Sequence, residues 1–242
     1  MKKLTKKDLI YIVIIATLTI AIATLSLLLY FTKNPKVSTE YYDKKCEVFE
    51  TENGNFAHGQ TVFIGDSITD GCALDVYYSD LPGAVYNRGI GGDSTGGVLK
   101  RLKLSLFDIN PSRIVLMIGI NDINGLVPKA QILKNYSEIL SKIKTNLPEA
   151  EVICVSILPV NLDLEGYTMI SAERSNATAK EINPEIEKLA ASYGYGFVNM
   201  FDAFCDEDGY LIRELSPDGI HLNHEGYIKY SSLLKDHLAD RQ

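Results

Sequence analysis

Apolar positions along this chain fall into two kinds of run, and the difference between them sorts the elements. Short dense runs of β-branched, aromatic and aliphatic residues occur at 61–65, 84–87, 113–119, 151–158 and 197–200. Their length and composition are those of buried strands. Between them the apolar residues recur at helical spacing: Val98, Leu99, Leu102 and Leu106, then Ile132, Tyr136, Ile139, Leu140 and Ile143. Further helices are expected over about 67–78, over 172–193 with a break allowed at Pro184, and over 227–238. Asn110-Pro111 stops one helix, Pro128 suits the start of the next, and Pro159 ends the fourth strand. Strand and helix alternate five times with no hairpin signal between strands. That pattern predicts an α/β fold, a three-layer sandwich around a five-stranded parallel sheet. Ligands in such folds sit at the carboxyl ends of the strands.

A different pattern precedes the first strand. Residues 9–31 contain no charge, and Lys2, Lys3, Lys6 and Lys7 stand before them in a short basic tail, 1–8. About 20 such residues suffice to cross a bilayer as a helix. Ala21-Ile22-Ala23 has the small-x-small look of a cleavage site, but the apolar run continues through Leu25, Leu27, Leu28, Leu29 and Phe31. A cleavable apolar core would end near its cleavage site. The expectation is one uncleaved transmembrane signal anchor over 9–31. Lys33, Lys36, Lys44 and Lys45 nearly balance the lysines before the span, and the compactness of the first group favours an extracytoplasmic globular part. Residues 32–58, with Pro35, Ser38, Asn53, Gly54 and Asn55, read as a tether, and 59–242 as the globular domain.

Charge and cysteine content narrow the chemistry. The net charge of −7 argues against nucleic acid as the main partner, since phosphate binding needs clustered Lys and Arg. Cys46, Cys72, Cys154 and Cys205 have no metal-ligand spacing, and Cys154 sits inside an apolar run as a small core residue. A Cys46–Cys72 bridge stays open. No metal or cofactor is implied, and nothing in the sequence sets the oligomeric state.

The candidate chemistry clusters after the strands. Gly65-Asp66-Ser67 ends the first strand, placing Ser67 at a strand-to-helix turn where its hydroxyl can project above the sheet. The plain alternative is that Ser67 only caps a helix. A serine ester hydrolase also needs a base, an orienter for the base and donors for the oxyanion. Of His58, His221, His224 and His237, only His221 has an acid three residues before it across a tight turn, Asp218. His224 reads as a helix-start residue, and His58 and His237 as solvated. The backbone N–H groups of Ser67 and of Gly92, in a glycine-rich turn, and the side-chain amide of Asn121 are the candidate oxyanion donors. Taken singly, Gly92 could be a mere turn glycine and Asn121 a helix cap.

Four blocks, Gly65-Asp66-Ser67, Asn87-Arg88-Gly89-Ile90-Gly91-Gly92-Asp93, Gly119-Ile120-Asn121-Asp122 and Asp218-Gly219-Ile220-His221, occur in this order. Together they resemble the SGNH hydrolases, or GDSL esterases and lipases, over about 61–238. The third block has Ile120 where many members have Gly. The resemblance implies a flavodoxin-like sheet, Ser67 as nucleophile, Asp218 and His221 as its partners, and Ser67, Gly92 and Asn121 as the oxyanion hole. The second and fourth blocks are similar to the branch of platelet-activating-factor acetylhydrolase-like enzymes and carbohydrate acetylesterases. The expected function is a membrane-anchored serine esterase acting on small-molecule or glycan O-esters, with short or acetyl chains, through an acyl-enzyme. An O-acyltransferase using the same acyl-enzyme and a non-catalytic ligand-binding domain are the alternatives. Residues 160–171, with Tyr167, Met169 and Ile170, and 123–127 are expected to border the pocket.

Overall fold

The computed structural model describes residues 6–33, 39–161 and 170–238. The chain divides into two compact units, Met1–Tyr41 and Tyr42–Gln242. The first carries helix α1 (Lys6–Lys33), 28 residues long, with Tyr11, Ile15, Ile20 and Ile22 exposed. Among the described residues no helix is long and apolar enough to cross a membrane, so the expected span over 9–31 is not met there.

The second unit is built on five parallel strands in the order β2-β1-β3-β4-β5. These are β1 (Thr61–Gly65), β2 (Val85–Gly89), β3 (Arg113–Met117), β4 (Glu151–Val155) and β5 (Gly196–Val198). The three-layer α/β expectation therefore holds, and the order is the flavodoxin-like one. Alternation along the strands serves two cores. Val62, Ile64, Ile114, Leu116, Val152 and Cys154 face one, shared with α7 (Lys129–Asn146) and α8 (Ala172–Ser192). Phe63, Val115, Met117, Ile153 and Val155 face the other, shared with α9 (His224–Leu238).

Three boundaries differ from the sequence reading. The helix expected over 67–78 is two short ones, α3 (Ser67–Asp70) and α4 (Leu74–Tyr77), with Gly71 closing the first. The fourth strand stops at Val155 although apolar residues continue to Leu158. There, side-chain amides on α8 take over the backbone. Asn183 accepts from the Ile157 N–H at 2.8 Å and donates to its carbonyl at 3.0 Å, and Asn176 does the same for Val160 at 2.8 and 2.9 Å. Helix α8 runs through Pro184 unbroken.

The third difference is larger. Where a tether was expected over 32–58, helix α2 (Thr39–Asn53) forms, and from Tyr42 onward the chain belongs to the second unit. Its anchor is Arg88 of the edge strand β2, only 1% exposed and held between two rings, Phe49 at 4.3 Å and Phe56 at 4.5 Å. Arg88 Nη1 donates to Glu52 Oε2 at 2.8 Å and Nη2 to Asn53 Oδ1 at 2.7 Å. A buried guanidinium needs such partners, and stacked rings suit its flat, weakly hydrated faces. Few apolar residues carry this packing, so the segment reads as polar linker in one dimension.

Cys46, Cys72, Cys154 and Cys205 are all free thiols, so there is no Cys46–Cys72 bridge.

Candidate active site

The nucleophile turn grows out of β1, whose five residues are all buried. Asp66 caps the short helix that follows, its Oδ1 accepting from the Ile68 N–H at 3.1 Å. Ser67, half-buried, is the first residue of that helix, so the hydroxyl stands at the carboxyl edge of the sheet. β1 lies between β2 and β3, at the point where chain order reverses. The loops after β1 and β3 diverge there and leave a crevice. Close approach is built in at Gly89: a Cβ on it would lie 2.1 Å from the Asp70 nitrogen, so only glycine lets β2 pass beneath the nucleophile helix.

His221 reaches Ser67 from 154 residues away, with Nε2 2.9 Å from Ser67 Oγ. Its other nitrogen, Nδ1, lies 2.5 Å from Asp218 Oδ2. Asp218 is itself tied down, its Oδ1 accepting from the N–H groups of Ile220 at 3.0 Å and His221 at 2.8 Å. The turn is pinned further by Ser216 Oγ, which accepts from the Gly219 N–H at 2.8 Å, and by the Asn161 N–H on the Gly219 carbonyl at 2.7 Å. One carboxylate oxygen thus holds backbone while the other orients the imidazole. An ionised Asp218 places the proton of a neutral His221 on Nδ1, leaving Nε2 to accept from the Ser67 hydroxyl.

The charge on Asp218 is favoured. Burial works against it, but the hydrogen bonds from the His221 ring and from the two backbone N–H groups outweigh burial and hold the carboxyl below its usual range.

The remaining candidate donors follow β2 and β3: Gly92 lies in the turn before α5 (Thr95–Lys100), and Asn121 is the second residue of α6 (Ile120–Asn124). Gly92 has φ +74°, a left-handed conformation in which other residues are strained, within a turn closed by the Asp93 N–H on the Ile90 carbonyl at 3.0 Å. Asn121 Nδ2 donates to the Asp93 carbonyl at 2.9 Å, joining the two donor segments and fixing which way its amide points. Beneath them a buried polar layer sets the geometry. Asp93 pairs with Arg101 at 2.7 Å, both side chains 2% exposed. Arg101 also donates to the carbonyls of Arg88 at 2.7 Å and Gly65 at 2.9 Å, tying β1 and β2 ends to the same guanidinium. Asp122 accepts from the Thr95 N–H at 2.8 Å and hydroxyl at 2.6 Å. These supporting roles have no local sequence signal, because each joins different loops.

Every one of Ser67, Gly92, Asn121, Asp218 and His221 therefore follows a strand on the same edge of the sheet or packs against that edge. His224 is elsewhere engaged: it is the first residue of α9 and its Nδ1 lies 2.9 Å from Tyr77 Oη. Ile123 is buried, as are Val160 and Ile170 at the two ends of the expected pocket border. Tyr167 and Met169 lie outside the described residues. Among the described residues no group of three or more His, Cys, Asp or Glu is placed to hold a metal ion.

Asp66, fully enclosed beside the nucleophile, is pushed up from 3.8 to about 7, first by burial and then by Asp93 and Asp122, against the Ile68 N–H and His221. The folded state therefore holds a proton here that the unfolded chain releases. The stability tied to that proton is complete below about pH 3.8 and is lost as pH rises to and through about 7. Urea unfolding at pH 5 and pH 8 should show the wild type losing stability over this interval, and Asp66→Asn should lose clearly less. An identical pH difference in the two proteins would remove Asp66 as the source.

The chain also resembles known proteins. Residues 63–228 match the GDSL-like Lipase/Acylhydrolase family. Platelet-activating factor acetylhydrolase IB subunit alpha1 of Rattus norvegicus is 30% identical over 176 residues, covering 69% of this chain and 70% of the relative. A solved structure from Streptococcus pneumonia, provisionally described as a platelet activating factor, is 30% identical with a TM-score of 0.75, covering 90% of this chain and 99% of that one. An acetyl xylan esterase structure, at 18% identity and TM-score 0.60 over 74% of this chain and 98% of its own, shares the fold. With the Gly-Asp-Ser turn, the glycine loop and the Asp-x-x-His turn gathered at one sheet edge, this chain belongs to the GDSL-like lipase/acylhydrolase family and is a carboxylic ester hydrolase.

Proposed function

We propose that this protein is a serine esterase that removes short, acetyl-sized acyl groups from small-molecule or glycan O-esters. The observation that carries the reading is the unbroken chain Ser67 Oγ, His221 Nε2, His221 Nδ1, Asp218 Oδ2, with contacts of 2.9 and 2.5 Å. His221 takes the Ser67 proton as Oγ attacks the ester carbonyl, and the carbonyl electrons move onto oxygen. The N–H groups of Ser67 and Gly92 and the Asn121 amide receive that oxyanion. Collapse expels the alcohol, which takes the proton from His221 and leaves an acyl-serine. Water, activated by the same imidazole, then releases the acid.

Two observations favour a small acyl group. A narrow cavity with room for about one water molecule (≈ 10 Å³) is lined by Asp66, Ile68, Ile120 and Ile220, chain neighbours of Ser67, Asn121 and His221. The acetylhydrolase and acetyl xylan esterase names borne by the relative and the structural neighbour point the same way.

Membrane anchoring belongs to the proposal as well. The support is the uncharged sequence run 9–31 with its lysine-rich start. On this reading the compact lysine group before the run stays inside and the esterase domain lies outside the cytoplasm.

A fluorophosphonate probe should add one adduct, mapped by peptide mass spectrometry to Ser67, and labelling should be lost in Ser67→Ala. A folded protein that hydrolyses esters without labelling at Ser67 would refute the serine mechanism. Product analysis with a sugar acceptor present distinguishes hydrolysis from acyl transfer by the same acyl-enzyme.

A further inference from the structure

The glycine-rich loop that presents Gly92 combines Gly89, Gly91 and Gly92, the residues with most backbone freedom to lose. An oxyanion donor accelerates a reaction only if it is already in place when charge develops. Something must therefore hold this loop. Part of the restraint is local: the Ile90 N–H donates to the Gly65 carbonyl at 3.1 Å and the Asp93 N–H to the Ile90 carbonyl. The Gly91 N–H, immediately before Gly92, is different. It donates at 2.9 Å to Asp70 Oδ2, the last residue of the nucleophile helix. The other oxygen of that carboxylate, Oδ1, is held at 2.7 Å by Lys45 Nζ of α2.

We propose that Lys45 and Asp70 form a brace that positions the oxyanion loop, making α2 part of the catalytic unit. The pair is partly shielded, with side chains 26% and 15% exposed, so it is less screened than a surface ion pair. Helix α2 is itself immobilised by Arg88 between Phe49 and Phe56, and the Tyr42 hydroxyl donates to the Gly97 carbonyl at 3.0 Å. The loop is thus gripped before Gly92, through Asp70, and after it, at Gly97. Asn87 joins the same turn from β2, its Nδ2 donating to the Thr69 carbonyl at 2.7 Å. Without Lys45, the Asp70 carboxylate loses the ion-pair contact on Oδ1 that helps hold Oδ2 toward the Gly91 N–H. Lys45 and Asp70 are positioning residues: they touch no reacting atom and act through Gly92.

This rests on Gly92 being an oxyanion donor, as proposed above, so two independent readouts are needed. The first is turnover of 4-nitrophenyl acetate by the full chain. Misplacing a group by about 1 Å can cost on the order of 10²-fold, so Lys45→Met should lower kcat about tenfold and Asp70→Asn somewhat more. KM should stay within about twofold, because the ground-state carbonyl makes little use of the donor. Lys45→Arg should recover most of the loss, and Lys45→Met/Asp70→Asn should be no worse than Asp70→Asn alone. The second readout needs no substrate: hydrogen–deuterium exchange should quicken at residues 89–94 in both variants while β1 and β3 stay protected. Unchanged exchange at 89–94 overturns the brace whatever the protein hydrolyses, and faster exchange with unchanged kcat overturns its catalytic role. A wild type lacking Ser67-dependent hydrolysis would remove the functional reading and leave the exchange result to judge the brace. Loss of protection throughout the sheet would assign Lys45 and Asp70 to stability alone and equally overturn it.

Discussion

Asp218→Asn should lower the rate of ester hydrolysis by about 10⁴, the scale found for such a change in a comparable triad. The substitution keeps the shape but puts an NH₂ or a neutral oxygen where the carboxylate faces His221 Nδ1 at 2.5 Å. The imidazole then loses the partner that keeps its proton on Nδ1, and Nε2 no longer stands ready as an acceptor. His221→Ala should cost at least as much, and the double variant little more, because residues that act as a unit are not additive. His224→Ala is the control. Its ring contacts Tyr77, away from Ser67, so the acylation rate should stay within about tenfold, well short of the triad losses. A dead His224 variant beside an active His221 variant would overturn the assignment of the base. The carboxylate's contribution should also persist to unusually low pH. Asp218 is held below its usual range, so the stability it adds is present above the ordinary carboxylate value and is lost as pH falls through the lowered one.

Asn121→Ala should cost about 10²–10³ in kcat, the usual worth of one oxyanion donor, with KM nearly unchanged. Two things happen in that variant. The donor is removed, and the bond from Asn121 Nδ2 to the Asp93 carbonyl, which links the two donor segments, is lost as well. Asn121→Asp separates the two, since it keeps side-chain length but offers no amide hydrogen and adds charge facing the oxyanion. It should be at least as damaging as alanine. An Asn121→Asp variant with near wild-type turnover would exclude Asn121 as a donor. Steady-state kinetics on a soluble ester, with thermal unfolding to verify folding, measure both.

How much of this was legible beforehand depends on how far apart the cooperating groups lie along the chain. Asp218 and His221 are three residues apart across one turn, so their pairing is a matter of local geometry and could be read from Ser216 to His221. The same holds for the strand-to-helix turn at Ser67 and for the alternation of strands and helices, since periodicity is set by neighbours within one element. A parallel sheet and a site at its carboxyl edge follow from that alternation, and the order of blocks carried the family.

Other features arise only when distant segments meet. Apolar residues continue past Val155, and only the Asn176 and Asn183 amides of α8 decide that those residues leave the sheet. Ser67 and His221 are 154 positions apart, and nothing local sets the 2.9 Å between them. Nothing in the sequence around Arg101 or Arg88 marks either as buried. Both are buried because three-dimensional packing supplies Asp93 and carbonyl partners to one, and two rings, Glu52 and Asn53 to the other. For the same reason residues 42–53 read as tether: their helix is stabilised by contacts with β2 and α3 rather than by an apolar stripe of its own. Local pattern determined the elements and the chemistry within each turn. Burial of charge, and the bracing of one loop by another, were decided by tertiary structure, because an ion's cost in the interior depends on partners that the neighbouring sequence does not contain.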